Sequence, residues 1–275
     1  MDKRRNKWHK ATDCSTIQAD LRYREEVEQL PGGFDLIVHF AANARVYELV
    51  REPGLAFDNM LINFNVLEYA RKNGILGIIF ASSREIYGNI MKDKPIAEAA
   101  VRVEHCESAY GVSKLSGEAL LHAYQKSYGI DSVIVRFSNV YGMYDDSDRV
   151  VPLWVSRCLR NEPMVIFGQK KSLDFTYIDD AVNGVIRMID RFAKVKGNTF
   201  NIAYGKEIHL LEVAEKIKGL LNASGEIIIK ENRLGEVWRF EADISKAKEL
   251  LGYEPGLSIE EGLKRTVEWY KGAYS

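Results

Sequence analysis

Tyr110 and Lys114 stand four residues apart in Tyr110-Gly-Val-Ser-Lys114, at the start of a stretch with helical patterning. Four residues is about one helical turn, so the phenol and the ammonium share a face. An ammonium beside a phenol favours the phenolate, and a tyrosine tuned in this way can take a proton from a hydroxyl near neutral pH. A second set, Ser82-Ser83-Arg84-Glu85-Ile86-Tyr87-Gly88, follows the apolar run Gly77–Ala81. Ser83 there can donate a hydrogen bond to the oxygen whose proton Tyr110 removes. Taken singly, the tyrosine and lysine read equally well as a surface helix pair, and the serines as a turn closing a strand. Their combination is what points to chemistry.

The elements that must position these residues are legible in the pattern. Strands are expected at Asp35–Phe40, Gly77–Ala81, Ser132–Phe137, Thr199–Ala203 and Glu226–Lys230. The first three are nearly continuous apolar runs, as for parallel strands covered on both faces. Helical patterns fall at about 54–73, 110–128, 151–161, 179–193, 210–222 and 258–271, with Gly74 and Gly129 where C-caps belong. This alternation implies an α/β fold with a doubly wound parallel sheet. Two loop-rich stretches, Tyr141–Arg149 and Gly225–Asp243, interrupt it and suggest a smaller second domain built from separated pieces. Asp179 and Asp180 are expected to start a helix.

The 275 residues are 46% apolar, enough for a large core, and the formal net charge of −1 offers no basic field for nucleic acid or anionic lipid. The three cysteines, Cys14, Cys106 and Cys158, form no CxxC pair, which fits a reducing, cytoplasmic setting without disulfides. The five histidines show no metal spacing, so no metal site is expected, and His39 reads as a packing or surface residue. The basic N-terminal segment MDKRRNKWHK is followed by no apolar run and reads as a frayed end rather than a signal or membrane anchor.

A strand ending in SSxxxYG, followed by YxxxK, resembles the extended short-chain dehydrogenase/reductases of the NAD-dependent epimerase/dehydratase family. The resemblance runs from about Asp20 to the end of the chain. It implies a catalytic set of Ser83, Tyr110 and Lys114, with the tyrosine as acid/base, the serine orienting the substrate oxygen, and the lysine holding the nicotinamide ribose. It implies NAD contacts at Asp20 and Leu21, in the turn Phe40-Ala41-Ala42, and at Asn59, Ser82, Tyr110 and Lys114. Ile62 and Asn63 stand where that family's glycine and threonine are usual. Arg136-Phe-Ser-Asn139-Val-Tyr-Gly142 matches RxxNVYG, whose asparagine meets a nucleotide diphosphate. Val151 and Phe167 match positions around the nucleotide base, Asp174–Asp180 matches DFTYVDD, and Arg233 matches a diphosphate-binding arginine. The implied layout is a Rossmann-type NAD domain over 1–142 plus about 172–204, and a smaller substrate domain over about 143–171 plus 205–275. The resemblance also implies a homodimer through helices at about 54–73 and 110–128.

Two departures stand out. No GxxGxxG occurs in the sequence, so the first phosphate-binding βαβ element of the family is expected to be missing, through a truncated or late start. Leu173 stands where an arginine is frequent. The expected reaction is 4-epimerisation of a UDP-sugar through a 4-keto intermediate. A 4,6-dehydratase or decarboxylase is the first alternative, since Glu85 keeps the position of that branch's base while Arg84 cannot act as its acid. A non-catalytic binding protein is the second.

Overall fold

The computed structural model describes residues 16–90, 95–145 and 147–274. The basic segment before residue 16, with Cys14, lies outside the described residues. The chain divides into two compact units. One holds the residues up to Gly88, Val101–Arg136 and Met188–Phe200; the other holds Asn89–Ala100, Phe137–Arg187 and Asn201–Ser275.

In the first unit the sheet is formed by β1 (Leu36–His39), β2 (Gly77–Ser83), β3 (Asp131–Phe137) and β7 (Thr199–Ile202), in that spatial order. β3 and β7 continue by their last residues into the second unit. β1 and β2 run parallel, with Leu36 opposite Gly77 and His39 opposite Phe80. Helices α1 (Arg24–Glu28), α2 (Val46–Arg51), α3 (Gly54–Lys72), α4 (Ala109–Tyr128) and α7 (Phe192–Val195) complete this unit. Its core gathers Leu67, Tyr69 and Ala70 of α3, Ile78 and Phe80 of β2, Leu121 and Tyr124 of α4, and Ile134 of β3.

α4 begins where the sequence requires. Ser108 is its N-cap, in extended conformation, and its hydroxyl accepts from the Gly111 amide at 3.2 Å. Gly129 ends it at φ 70°, a left-handed C-cap. β2 is buried along its whole length, as the apolar run implies. β1 departs from the expectation of a strand covered on both faces: Val38 is 37% exposed and the adjoining Phe40 is 51% exposed. β1 is the edge strand of this sheet among the described residues, so one side of its apolar run lacks the cover that β2 has.

In the second unit, β6 (Ser172–Tyr177) lies between β4 (Asn139–Tyr141) and β10 (Arg239–Phe240), parallel to both, and pairs antiparallel with β8 (Glu207–His209). β5 (Met164–Phe167) pairs with β9 (Ile227–Lys230). The helices are α5 (Val150–Leu159), α6 (Ile178–Asp190), α8 (Leu210–Leu221), α9 (Ser245–Leu251) and α10 (Ile259–Tyr274). α6 is shared, since its last turn from Met188 belongs to the first unit.

The two compact units are bounded differently from the expected domains. Residues 172–187 belong with the second unit because β6 finds its strand partners there, and Asn89–Ala100 joins them. The loop-rich stretch Gly225–Asp243 contains β9, where a strand was expected over Glu226–Lys230, and also β10, which was not expected. Leu173 is 3% exposed in β6 opposite Phe240, an apolar site that suits leucine. Asp179 and Asp180 stand in the first turn of α6 as expected, but Asp180 looks outward from its own helix: its carboxylate accepts from the Gly256 and Leu257 amides.

Candidate active site

The first unit brings Ser83, Tyr110 and Lys114 together from β2 and α4. Lys114 points into the protein, only 4% exposed, and its Nζ donates to the Ala81 carbonyl at 2.7 Å, at the end of β2. The same Nζ lies 5.2 Å from the centre of the Phe80 ring and 5.9 Å from that of Tyr110. An ammonium so placed stabilises a phenolate more than a phenol. Burial pushes the Lys114 pKa down to about 8, against an opposing pull from Glu118 one turn further along α4. Lys114 thus remains mostly charged at neutral pH while holding a proton it can release. Tyr110 is 7% exposed and packs with Leu49 of α2 and Ala56 of α3.

After β2 the chain makes a short 3₁₀ turn over Arg84–Tyr87, with Ser83 as its N-cap. The Glu85 amide donates to Ser83 Oγ at 3.2 Å, which occupies an acceptor site of the hydroxyl and leaves its own proton for donation. Two glycines of the sequence motifs have steric causes here. Gly88 sits at φ 66°, and a Cβ on it would lie 1.7 Å from the His105 carbonyl oxygen. A Cβ on Gly111 would lie 3.0 Å from the Glu85 carbonyl oxygen, so the first turn of α4 rests directly on the turn that carries Ser83.

Arg84 and Glu85, both under 10% exposed, form an ion pair at 2.8 Å. Beneath the turn lies a second buried pair that the sequence reading did not single out. Arg136 of β3 grips Glu118 through two bonds, Nε to Oε1 at 3.0 Å and Nη2 to Oε2 at 2.7 Å. Its Nη1 donates to the Tyr87 hydroxyl at 3.0 Å. A signal was available: an arginine inside the buried run SVIVRF demands a buried acid, and Glu118 lies one turn beyond Lys114 on the same helix face.

The remaining residues expected around a cofactor are placed as follows. Ser82 is 4% exposed and its hydroxyl has no hydrogen-bond partner among the described residues. Ala41 and Ala42 are half-buried beyond β1. Asn59 is turned inward: its Oδ1 accepts from the Asn43 amide at 2.7 Å, and its Nδ2 donates to the Asn43 carbonyl at 3.0 Å and to Ser113 Oγ at 3.2 Å. Asn59 therefore holds the turn after Ala42 in place. Asp20 is engaged by Arg22, which also reaches Asp58, while Leu21 packs against the core and its carbonyl accepts from Asn65. His39 is buried, as a packing role implies, and shares a 3.0 Å hydrogen bond with Asn63. Burial, together with the Lys114 charge, pushes its pKa down to about 3, so it is neutral.

The second unit carries the positions expected to meet a nucleotide. The Arg233 guanidinium lies 3.8 Å from the centre of the Phe167 ring. Arg233 also faces Glu236 at 3.7 Å, and Glu236 pairs with Lys171 at 2.5 Å. Beside Phe167, residues Gly168, Gln169, Ile229, Lys230, Glu231 and Asn232 line a wide, solvent-open depression. Asn139 donates to the Asp174 carbonyl at 3.2 Å, and Val151 is 2% exposed in α5. Asp174 itself was quoted in a motif without a role. It is fully buried and accepts from the Tyr204, Gly205 and Ala242 amides.

Residues 1–203 match the profile of the NAD dependent epimerase/dehydratase family, a match that begins ahead of the Asp20 from which the motifs were read. A UDP-glucuronate 4-epimerase of Thermodesulfobacterium geofontis is 32% identical over 238 residues, which covers 86% of this chain and 72% of that protein. A solved UDP-glucose 4-epimerase of Thermotoga maritima, with UDP-glucose, is 32% identical with a TM-score of 0.86, covering 93% of this chain and 84% of that one. A solved dTDP-glucose 4,6-dehydratase double mutant of Streptomyces venezuelae, with NAD bound, is 27% identical with a TM-score of 0.85, covering 92% of this chain and 78% of that one. No helix among the described residues is long and apolar enough to cross a membrane.

Proposed function

Since the chain belongs to the NAD dependent epimerase/dehydratase family, we propose that it is an NAD-dependent 4-epimerase acting on a UDP-sugar. Tyr110 takes the proton of the sugar 4-hydroxyl and later returns it. Ser83, with an acceptor site filled by the Glu85 amide, donates its hydrogen bond to the same oxygen. Lys114 keeps positive charge beside the phenol. Bound NAD would supply the reversible hydride acceptor that the chain's own side chains lack.

The residues beside the acid/base set fit the ribose end of NAD. The Ser82 hydroxyl is buried without a partner among the described residues, and Lys114 spends one of its three N–H donors on Ala81. Both can serve ribose hydroxyls. Arg233, stacked on Phe167, is read as the guanidinium that meets the diphosphate, with Phe167 and Val151 near the base and Asn139 on the diphosphate. By the same resemblance the active form is a homodimer through α3 and α4.

The Arg84–Glu85 ion pair carries the choice of epimerase over dehydratase. Eliminating water needs an acid and a base beside the keto sugar. Here the acid position holds a guanidinium, and the carboxylate at the base position is already bound to it. The test is to release and count NAD from the purified protein, then incubate it with UDP-glucose, UDP-glucuronate and dTDP-glucose. Conversion of a UDP-sugar to its 4-epimer with cofactor retained is expected. Accumulation of a 4-keto-6-deoxy sugar would overturn the epimerase reading in favour of the dehydratase.

A further inference from the structure

We propose that Arg136, anchored on Glu118, is a positioning residue that ties the turn carrying Ser83 to the helix carrying Tyr110 and Lys114. This rests on the catalytic reading above and deepens it. The tie is made of three side chains from three elements. Glu118 belongs to α4, one turn beyond Lys114. Arg136 belongs to β3 and holds both oxygens of Glu118. Tyr87 closes the Ser83–Gly88 turn and accepts from the third nitrogen of Arg136, whose guanidinium carbon also lies 5.2 Å from the centre of its ring.

All three are buried: Tyr87 at 0%, Glu118 at 4% and Arg136 at 7% exposure. A buried ion pair is weak support for stability, because taking two charges out of water costs about what their attraction returns. Its merit is directional. The planar fork of arginine admits one bidentate geometry, and Tyr87 is set by what remains of that fork. The backbone packs to match, with Gly111 of α4 on the Glu85 carbonyl.

Glu118 has a second effect. The charged and titratable groups facing Lys114 are Tyr110 and Glu118 on α4 and the neutral His39 on β1. Glu118 is the carboxylate that opposes the burial of the ammonium, and Arg136 fixes where that carboxylate stands. Losing the pair therefore moves the titration of Lys114 downward, and loosening Tyr87 alone does not.

Two variants separate these effects. Glu118→Gln/Arg136→Met removes both charges together and leaves neither buried alone; Tyr87→Phe keeps the ion pair and cuts the link to the turn. Neither readout needs turnover. The titration of Lys114 is followed by its ¹³Cε resonance, assigned with Lys114→Met. The order of the turn is followed by hydrogen exchange of the Glu85 amide, which donates to Ser83. In the double variant the Lys114 midpoint is expected below the wild-type value. In Tyr87→Phe it is expected unchanged, with Glu85 exchange faster by about tenfold. With active enzyme, both variants lower kcat about tenfold and leave the KM for the UDP-sugar in place. An unchanged Lys114 midpoint and unchanged Glu85 exchange, with only the melting temperature lowered, would reduce the network to scaffold and overturn the proposal. If the double variant fails to fold, Glu85 exchange in Tyr87→Phe decides alone. A wild-type protein inactive on every UDP-sugar refutes the epimerase reading, and the two resonance measurements still decide this one.

Discussion

Replacing Lys114 by methionine should make the protein more stable and much less active. The ammonium is buried at 4% exposure, and burial holds its pKa at about 8 instead of the ordinary 10.5. A lysine whose folded-state pKa is depressed destabilises the fold wherever it is protonated. That penalty is full below pH 8 and fades as pH rises toward 10.5. At about 1.36 kcal/mol for each pH unit of that interval, it amounts to about 3 kcal/mol at pH 7. Methionine matches the length of the stem and keeps contact with Phe80, but it gives up the bond to the Ala81 carbonyl, worth about 1 kcal/mol. The net gain at pH 7 is about 2 kcal/mol, and near pH 10 most of it has gone. Urea unfolding of the cofactor-free proteins at both pH values measures the difference. Turnover should fall by about 10²–10⁴-fold, the range of lost acid–base help. A methionine variant less stable than the parent at pH 7, or a difference that does not shrink toward pH 10, would refute the picture of Lys114 as a charge held in place against its solvation.

Gly88→Ala forces a side chain onto φ 66° with its Cβ 1.7 Å from the His105 carbonyl oxygen. It should cost at least about 2–3 kcal/mol on thermal unfolding and displace the turn that carries Ser83. Asp174 titrates with a pKa raised to about 7, because burial outweighs its three amide donors. The folded protein then binds that proton more tightly than the unfolded chain, so this group's contribution to stability declines as pH rises from about 4 through 7. Asp174→Asn lacks that slope and turns an amide donor toward the Gly205 and Ala242 amides. Its deficit in urea unfolding should be about 2–3 kcal/mol at pH 5 and smaller at pH 8; a deficit that grows with pH would contradict the raised pKa. Arg233→Ala should weaken UDP binding about tenfold in calorimetry and leave released NAD unchanged.

The sequence was most informative where local physics and packing agree. The motifs around Ser83, Tyr110 and Lys114 are short stretches with steric causes, such as Gly88 under His105 and Gly111 over Glu85. α3 and α4 were readable within a residue of their ends, because each is a long run without proline that stops at a left-handed glycine, Gly74 or Gly129. Short elements escaped. β4, β8 and β10 are two or three residues long, too short for any period to register, and exist because β6 offers them backbone partners. β6 itself, SLDFTY, mixes a charge into its run because Asp174 answers three backbone amides that no local pattern reveals. The bounds of the two compact units are hidden for the same reason: strand partnership is a property of distant segments. Asn59, a family position expected to meet the cofactor, also holds the turn at Asn43, a contact between distant segments that no local pattern reveals.

Buried charge distinguishes the two kinds of site in this molecule. In the second unit Asp174 is surrounded by donors that belong to the backbone of its own unit, and the arrangement is complete without a ligand. In the first unit, around the end of β2, Arg84, Glu85, Lys114, Glu118 and Arg136 are all under 10% exposed. A fold selected for stability alone would fill that volume with apolar side chains, since buried pairs rarely gain more than their desolvation costs. These charges instead surround two groups with hydrogens left over: the Ser82 hydroxyl, which has no partner among the described residues, and Lys114, with one bond for three donors. The asymmetry is chemical. A structural charge is satisfied by its own fold, whereas these donors are left with hydrogens to give, which is what the proposed acid/base site requires of them.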